Sequence, residues 1–443
     1  MKDKSTLLTK GSIMKTLLLF SLPILLGNLF QQMYNTVDSF VVGNFVDSAA
    51  LAAVNSTNNI IFVTVGFLQG VFIGAGVAVA RYFGAQDARM VRVSIHTTVA
   101  LSLFSGAVLS VLGVSFTPWL LRVLNTPPEV FPLSCAYFKI YYAGILSVVL
   151  YNCATGILQA VGDSRHPLIY LIISSCLNVV LDLVFVIKFG WGVRGVAVAT
   201  VMSQSFSAVL AFAHLMRTKT IYRVSIFHIT CDFAMLKEIL RLGIPSGLQN
   251  SIIALSNLVM QSYLNTFGAF AVAGSGTFLR VEGFTFITIS SIALATTTYV
   301  SQNVGAKQFE RAHKASKYAL ALNVVCGQML SCCVMYFAPQ LVGAFNSEPE
   351  VIRYGVMHSK IAVWYFLPAM THSLAGVLRG VGRPMVPMAV MLVCWCGVRV
   401  VWLTTLLERW HDIRLIFAMY PFTWMLSTAA LVVYYARIKW EKL

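Results

Sequence analysis

Residues 16–42 read TLLLFSLPILLGNLFQQMYNTVDSFVV. A helix needs roughly 20 mainly apolar residues to cross a hydrocarbon core of about 30 Å. This run is longer, follows Lys2, Lys4, Lys10 and Lys15, and contains no short apolar core with a small-residue cleavage site behind it. It therefore reads as a retained first membrane helix and not as a signal peptide. The run is not uniformly apolar. At 100° per residue, Asn28, Gln31, Asn35 and Asp38 fall within about 80° of one another. Such a stripe must face protein or water, because lipid offers its polar groups no partner.

Working outward, apolar runs recur along the chain, at about 51–79, 94–116, 133–159, 168–187, 195–215, 242–267, 275–300, 319–343, 355–378, 384–407 and 415–436, giving twelve spans in all. The composition agrees: 58% of the residues are hydrophobic and 11% charged, against roughly 25% charged in a soluble protein. The runs lack the short alternating segments of a β-barrel. The expected fold is an all-α integral membrane protein. The net charge of +16 does not point to nucleic acid. Most Lys and Arg cluster between spans on one side, around Arg81, Arg89, Arg92, Arg165, the 217–241 segment, Lys307–Lys317, Arg379, Arg383 and the C-terminus. That bias places both termini in the cytoplasm of a multi-pass inner-membrane protein.

The chain also repeats itself at an offset of about 220 residues. Leu22-Pro23 matches Ile244-Pro245, Asn28 matches Asn250, and Gly84-Ala85 matches Gly305-Ala306. Asn125, Pro128, Glu129, Val130 and Lys139 recur as Asn346, Pro349, Glu350, Val351 and Lys360. Gly156, Leu158, Val161, Gly162 and Pro167 recur as Gly376, Leu378, Val381, Gly382 and Pro387. Two six-helix lobes follow, 1–216 and 242–443, joined by a basic cytoplasmic linker at 217–241. An even number of spans per lobe gives both the same topology, with a cavity expected between them.

Intramembrane acids are the informative residues, each costing about 2.5–3.5 kcal/mol at a helix centre. Three lie deep in spans: Asp38, Asp182 and Glu282. Asn178 and Asp182 are spaced i, i+4 and share a helix face. The second span adds Asn55, Asn58, Asn59 and Gln69, and the seventh repeats the stripe with Asn250, Asn257, Gln261 and Asn265 but no acid. At the repeat offset, Asp38 matches Met260 and Asp182 matches Trp402. Carboxylates among amides suit a proton or Na⁺, which relieves a buried negative charge and fits oxygen ligands. The alternative is interhelical polar glue. Coupling chemistry is thus expected in the first lobe. Glu282 reads equally as a functional acid or as an ion-pair partner of Arg399, since Arg280 lies on nearly the opposite face. Pro23, Pro245 and Pro368 are expected to kink their helices, and Gly74-Ala75-Gly76 to allow close helix packing. Lys139 and Lys360 read as snorkelling side chains. The nine cysteines read as apolar thiols and the eight histidines as dispersed. No Walker A, G-x-S-x-G or H-E-x-x-H sequence is present, so neither ATP nor an enzyme activity is expected.

The stretches Leu22-Pro23, Gln31–Asp38, Gly156–Asp163, Asn178–Asp182 and Ser301–Ala306 together resemble the multidrug and toxic compound extrusion (MATE) family, in its DinF-like branch. The resemblance covers essentially the whole chain. It implies a twelve-helix, two-lobe exporter of organic cations and other drugs, driven by inward H⁺ or Na⁺, with no further cofactor. It implies a cation-coupling site of Asp38, Asn178 and Asp182, with Tyr137 and Thr200 as the tyrosine and threonine contributors. The first three would be metal ligands only under Na⁺ coupling. The NorM-like branch's extra acids in the seventh and tenth helices are missing. Asn28, Gln31, Asn35, Asn152, Gln261 and Glu282 are expected to line a substrate cavity. The expected partners are small-molecule drugs and membrane lipids, with no nucleic acid, and the chain is expected to work as a monomer. A lipid-linked saccharide flippase is the alternative, though its cavity should carry cations for phosphates.

Overall fold

The computed structural model describes residues 7–46, 48–225, 227 and 229–442, without the side chains of residues 39, 44, 48, 49, 51, 52, 55–59 and 442. Lys2, Lys4, Asn55, Asn58 and Asn59 of the stripes and clusters above lie outside what is described. The first half comprises α1 (Ile13–Phe45), α2 (Ser48–Gly84), α3 (Ala88–Val123), α4 (Phe131–Ala143), α5 (Ile145–Ala160), α6 (Arg165–Leu183) and α7 (Gly192–Arg217). The second comprises α8 (Phe233–Leu264), α9 (Ala269–Gly305), α10 (Phe309–Tyr336), α11 (Ala338–Gly343), α12 (Pro349–Ile361), α13 (Phe366–Gly380), α14 (Met385–Met391), α15 (Val398–Trp402), α16 (Glu408–Trp410) and α17 (Ile413–Ala436). Helices α14 to α16 join through π turns into one span, Met385–Trp410.

Among the described residues, nine spans are long and apolar enough to cross a bilayer, and the bent pairs α4–α5 (48°) and α12–α13 (58°) make two more. The twelfth is α8, 32 residues long, whose apolar character is diluted by Gln249, Asn250, Asn257 and Gln261. The expected twelve-span, all-α fold is what forms. Large apolar side chains such as Phe104 (69% exposed), Val111 (67%) and Met329 (63%) stand on the outside, as lipid contact requires.

The repeat reaches backbone detail. Gln86 (φ 57°) and Lys307 (φ 56°) match, as do Gly162 (φ 88°) and Gly382 (φ 84°). The π turn Val184–Lys188 after α6 has its counterpart in Leu403–Leu407. The bend at Gly144 has its counterpart at residues 362–365, and both interrupt spans that the sequence presents as continuous. A Cβ on Gly144 would meet the Val201 side chain at 2.2 Å, so the glycine lets α7 approach the bend. Pro23 and Pro245 do lie inside α1 and α8. Pro368 instead falls in the first turn of α13, just after the bend, where a missing N–H breaks no helical bond.

The chain forms two compact units, Met1–Leu7 with Leu26–Ile244, and Leu8–Leu25 with Pro245–Leu443. These boundaries differ from a simple cut at the linker. The linker packs within the first unit, where Tyr222 and Val224 are buried and Ser225 N–H donates to His96 (3.3 Å). The start of α8 is held there too, as Tyr82 donates to Glu238 (2.8 Å). In the second unit the same place on α9 holds the chain start: Leu8 N–H donates to Gln302 (3.0 Å), and Asn303 donates to Leu8 O (3.3 Å). Each repeat's first helix therefore changes unit about its proline, between Leu25 and Leu26 and between Ile244 and Pro245.

Within the first unit α2 crosses α8 at glycines. A Cβ on Gly74 would lie 2.3 Å from the Gly243 backbone, and one on Gly243 would lie 2.7 Å from Val71 O. Backbone cannot yield as a flexible side chain can. Gly243→Ala is expected to destabilise the protein by about 1–3 kcal/mol, read as a lowered melting temperature in detergent. An unchanged melting temperature would mean that this crossing relaxes freely.

Candidate functional site

In the first unit α1, α4, α6 and α7 bring their polar groups to one place. Asp38 is 8% exposed, while Asn178 and Asp182 are fully buried on one face of α6. The two carboxyl groups lie within hydrogen-bonding reach of each other. As ionised acceptors neither can donate to the other. Asp38 Oδ1, both Asp182 oxygens and both polar atoms of Asn178 make no hydrogen bond. A buried polar group left so costs about 1–3 kcal/mol, and a charged one more. Tyr137 stands close enough to both acids to feel their charge and stacks on Tyr141, with ring centroids 6.4 Å apart.

Asp38, Asp182 and Tyr137 are thus brought together, with Asn178 on the Asp182 face. Thr200 is buried, but its hydroxyl donates to Val196 O (2.9 Å) in its own helix. One turn further along α7, the Gln204 side chain reaches the hydroxyl of Tyr34, which lies one turn before Asp38. Sequence reading missed both residues. Their signal was spacing alone, since Tyr34 is at i−4 from Asp38 and Gln204 at i+4 from Thr200. The π turn Val184–Lys188 begins two residues after Asp182, and such bulges often mark functional sites.

The expected cavity residues behave unequally. Asn28 and Gln31 are half-buried and Asn35 is exposed. Asn152 donates to Val148 O (2.8 Å), and Gln261 donates to Asn265 (3.0 Å). Glu282 is 5% exposed and lines a small cavity inside the second unit with Phe278, Thr285, Ser331, Ser359 and Tyr365. Arg280 is exposed on the other side of α9.

The second unit fills the matching region differently. Met260, the counterpart of Asp38, accepts from the Tyr420 hydroxyl (2.6 Å). Arg399 is buried there, with its guanidinium 4.9 Å from the Tyr420 ring and 5.2 Å from that of Trp395. It donates to Ser256 (3.2 Å) and Thr423 (3.4 Å). This unit therefore carries a buried cation in the region where the first unit carries its acids. Among the described residues, no basic side chain acts on the first-unit acids. Their oxygens, with those of Asn178 and Tyr137, form a donor set suited to a proton or a hard cation such as Na⁺.

The family model MatE matches residues 23–184 and 245–403, one block in each half. The chain belongs to the MatE family. Among its relatives is "Probable multidrug resistance protein YoeA" of Bacillus subtilis, 26% identical over 98% of this chain and 96% of the relative. Another is "FAD transporter" of Shewanella oneidensis, 27% identical over 80% and 79%. A MATE protein solved in complex with MaL6 superposes with a TM-score of 0.91, covering 100% of this chain and 99% of that one at 22% identity. Membership in the MatE family makes this a multi-pass membrane transporter, not an enzyme.

Proposed function

We propose that this MatE-family chain is a secondary active multidrug exporter, antiporting H⁺ or Na⁺ against small organic compounds. The observation that carries this reading is the buried pair Asp38 and Asp182, where three carboxylate oxygens and both side-chain polar atoms of the neighbouring Asn178 lack hydrogen bonds. Two carboxylates so placed repel unless a proton or cation comes between them. Occupancy therefore changes the energy of α1 against α6. A site whose occupancy alters helix packing in this way suits alternating access. The cationic clusters support cytoplasmic termini in a bacterial inner membrane. A two-lobe chain has what it needs as a monomer, with no cofactor beyond the coupling ion.

The names of relatives such as YoeA support drug export over the flippase alternative. The relative named "FAD transporter" favours a second reading, in which the cargo is an anionic dinucleotide. Purified protein in liposomes, loaded with a cationic dye or with FAD, separates the two. Efflux of dye driven by a pH or Na⁺ gradient is expected, and the effective gradient names the ion. Efflux of FAD alone would favour the second reading. No gradient-driven efflux of either would remove both.

A further inference from the structure

Three residues outside the coupling site meet at one end of the first unit. Asp163 follows the turn that ends α5, where Gly162 has φ 88° and Asp163 N–H donates to Leu158 O (2.9 Å). His166 lies in the first turn of α6, and His214 in the last turn of α7. Asp163 Oδ1 accepts from the backbone N–H groups of Arg165 and His166 (3.2 Å each). That fixes the carboxylate and turns Oδ2 toward both imidazoles, 2.5 Å from His166 Nδ1 and 4.0 Å from His214 Nε2. The two rings are 4.2 Å apart, and all three potential ligand atoms lie within 4.8 Å of one another.

The second unit provides an internal comparison. There the same positions are Arg383, Val386 and Tyr434. Gly382 has φ 84°, Arg383 N–H donates to Leu378 O (2.8 Å), and Arg383 Nη1 donates to Tyr434 (3.2 Å). The fold thus brings these positions together in both units, but only the first unit fills them with ligand chemistry. A tetrahedral Zn²⁺ with bonds of about 2.0–2.1 Å sets its donor atoms roughly 3.3 Å apart. Small ring rotations reach that from the observed spacings. The backbone-anchored carboxylate supplies the orienting support that bound ions require.

We propose that Asp163, His166 and His214 form a binding site for a divalent first-row transition-metal ion, Zn²⁺ in particular. Two imidazoles and one carboxylate favour such an ion over Na⁺ or Mg²⁺. The three ligands leave a fourth position open. The ion would staple the end of α5, the start of α6 and the end of α7. This site shares no ligand with the coupling pair and does not depend on the transport reading.

The test is Co²⁺ titration of the full-length protein in detergent, free of any histidine tag and with its cysteines alkylated, followed by Zn²⁺ competition. One equivalent with a tetrahedral Co²⁺ absorption band is expected, displaced by Zn²⁺. Outer-shell partners alone are worth about 10–100-fold in affinity, so His166→Gln, His214→Gln and Asp163→Asn should each weaken binding by more than about tenfold. X-ray absorption of the Zn²⁺-loaded wild type, which needs no variant, should show only nitrogen and oxygen neighbours with imidazole scattering. A wild type without the Co²⁺ band, a band that survives His166→Gln/His214→Gln, or a sulfur shell around Zn²⁺ would overturn the proposal.

Discussion

Asp38→Asn and Asp182→Asn are each expected to reduce gradient-driven efflux to the background of empty liposomes. The loss should be at least about 100-fold, because either change removes one of two charges that together hold the cation. The double variant should lose nothing further, as the carboxylates act as one site. Stability should move the other way. Two unpartnered acids facing each other cost free energy, and an amide in place of one removes their repulsion. The melting temperature of either variant should therefore match or exceed that of wild type. Thermal unfolding beside transport separates this from misfolding. A variant with lowered stability and retained coupling would show that the pair is structural glue.

The second large effect is expected in the other unit. Arg399→Met should destabilise the protein by about 1–3 kcal/mol, because Ser256 and Thr423 lose their buried donor and the Trp395 and Tyr420 rings lose the guanidinium packed on them. Glu282→Gln should cost much less, since Arg399 keeps Ser256, Thr423 and the rings of Trp395 and Tyr420. Glu282→Gln should also keep gradient coupling, in contrast to Asp38→Asn. Melting temperatures of the two variants in detergent check the energetic part. A harmless Arg399→Met would show that these buried contacts contribute little to stability.

Much of this was legible because membranes penalise polar groups severely. Apolar runs disclosed the spans, and the repeat supported α8 despite its four amides. Asp38, Asn178 and Asp182 stood out because a carboxylate in a membrane helix needs a reason. Tyr34 and Gln204 did not, since an aromatic ring and an amide are ordinary in a helix bundle. The bends at Gly144 and at residues 362–365 were hidden because apolar sequence runs straight through them. The exchange of Leu8–Leu25 into the second unit is a tertiary event with no local signature. The histidines looked dispersed because His166 and His214 stand at opposite ends of the α6–α7 stretch, and only the folded hairpin of spans joins them.

The most direct test of coupled transport through the first-unit acids is to reverse the driving force. A dye gradient is imposed across liposomes containing the protein, with no ion gradient, and the flux of H⁺ or of radioactive Na⁺ is followed. The account predicts cation movement opposite to the dye in wild type, with neither flux in Asp38→Asn. Dye crossing wild-type liposomes without any counterflow of cation would contradict it.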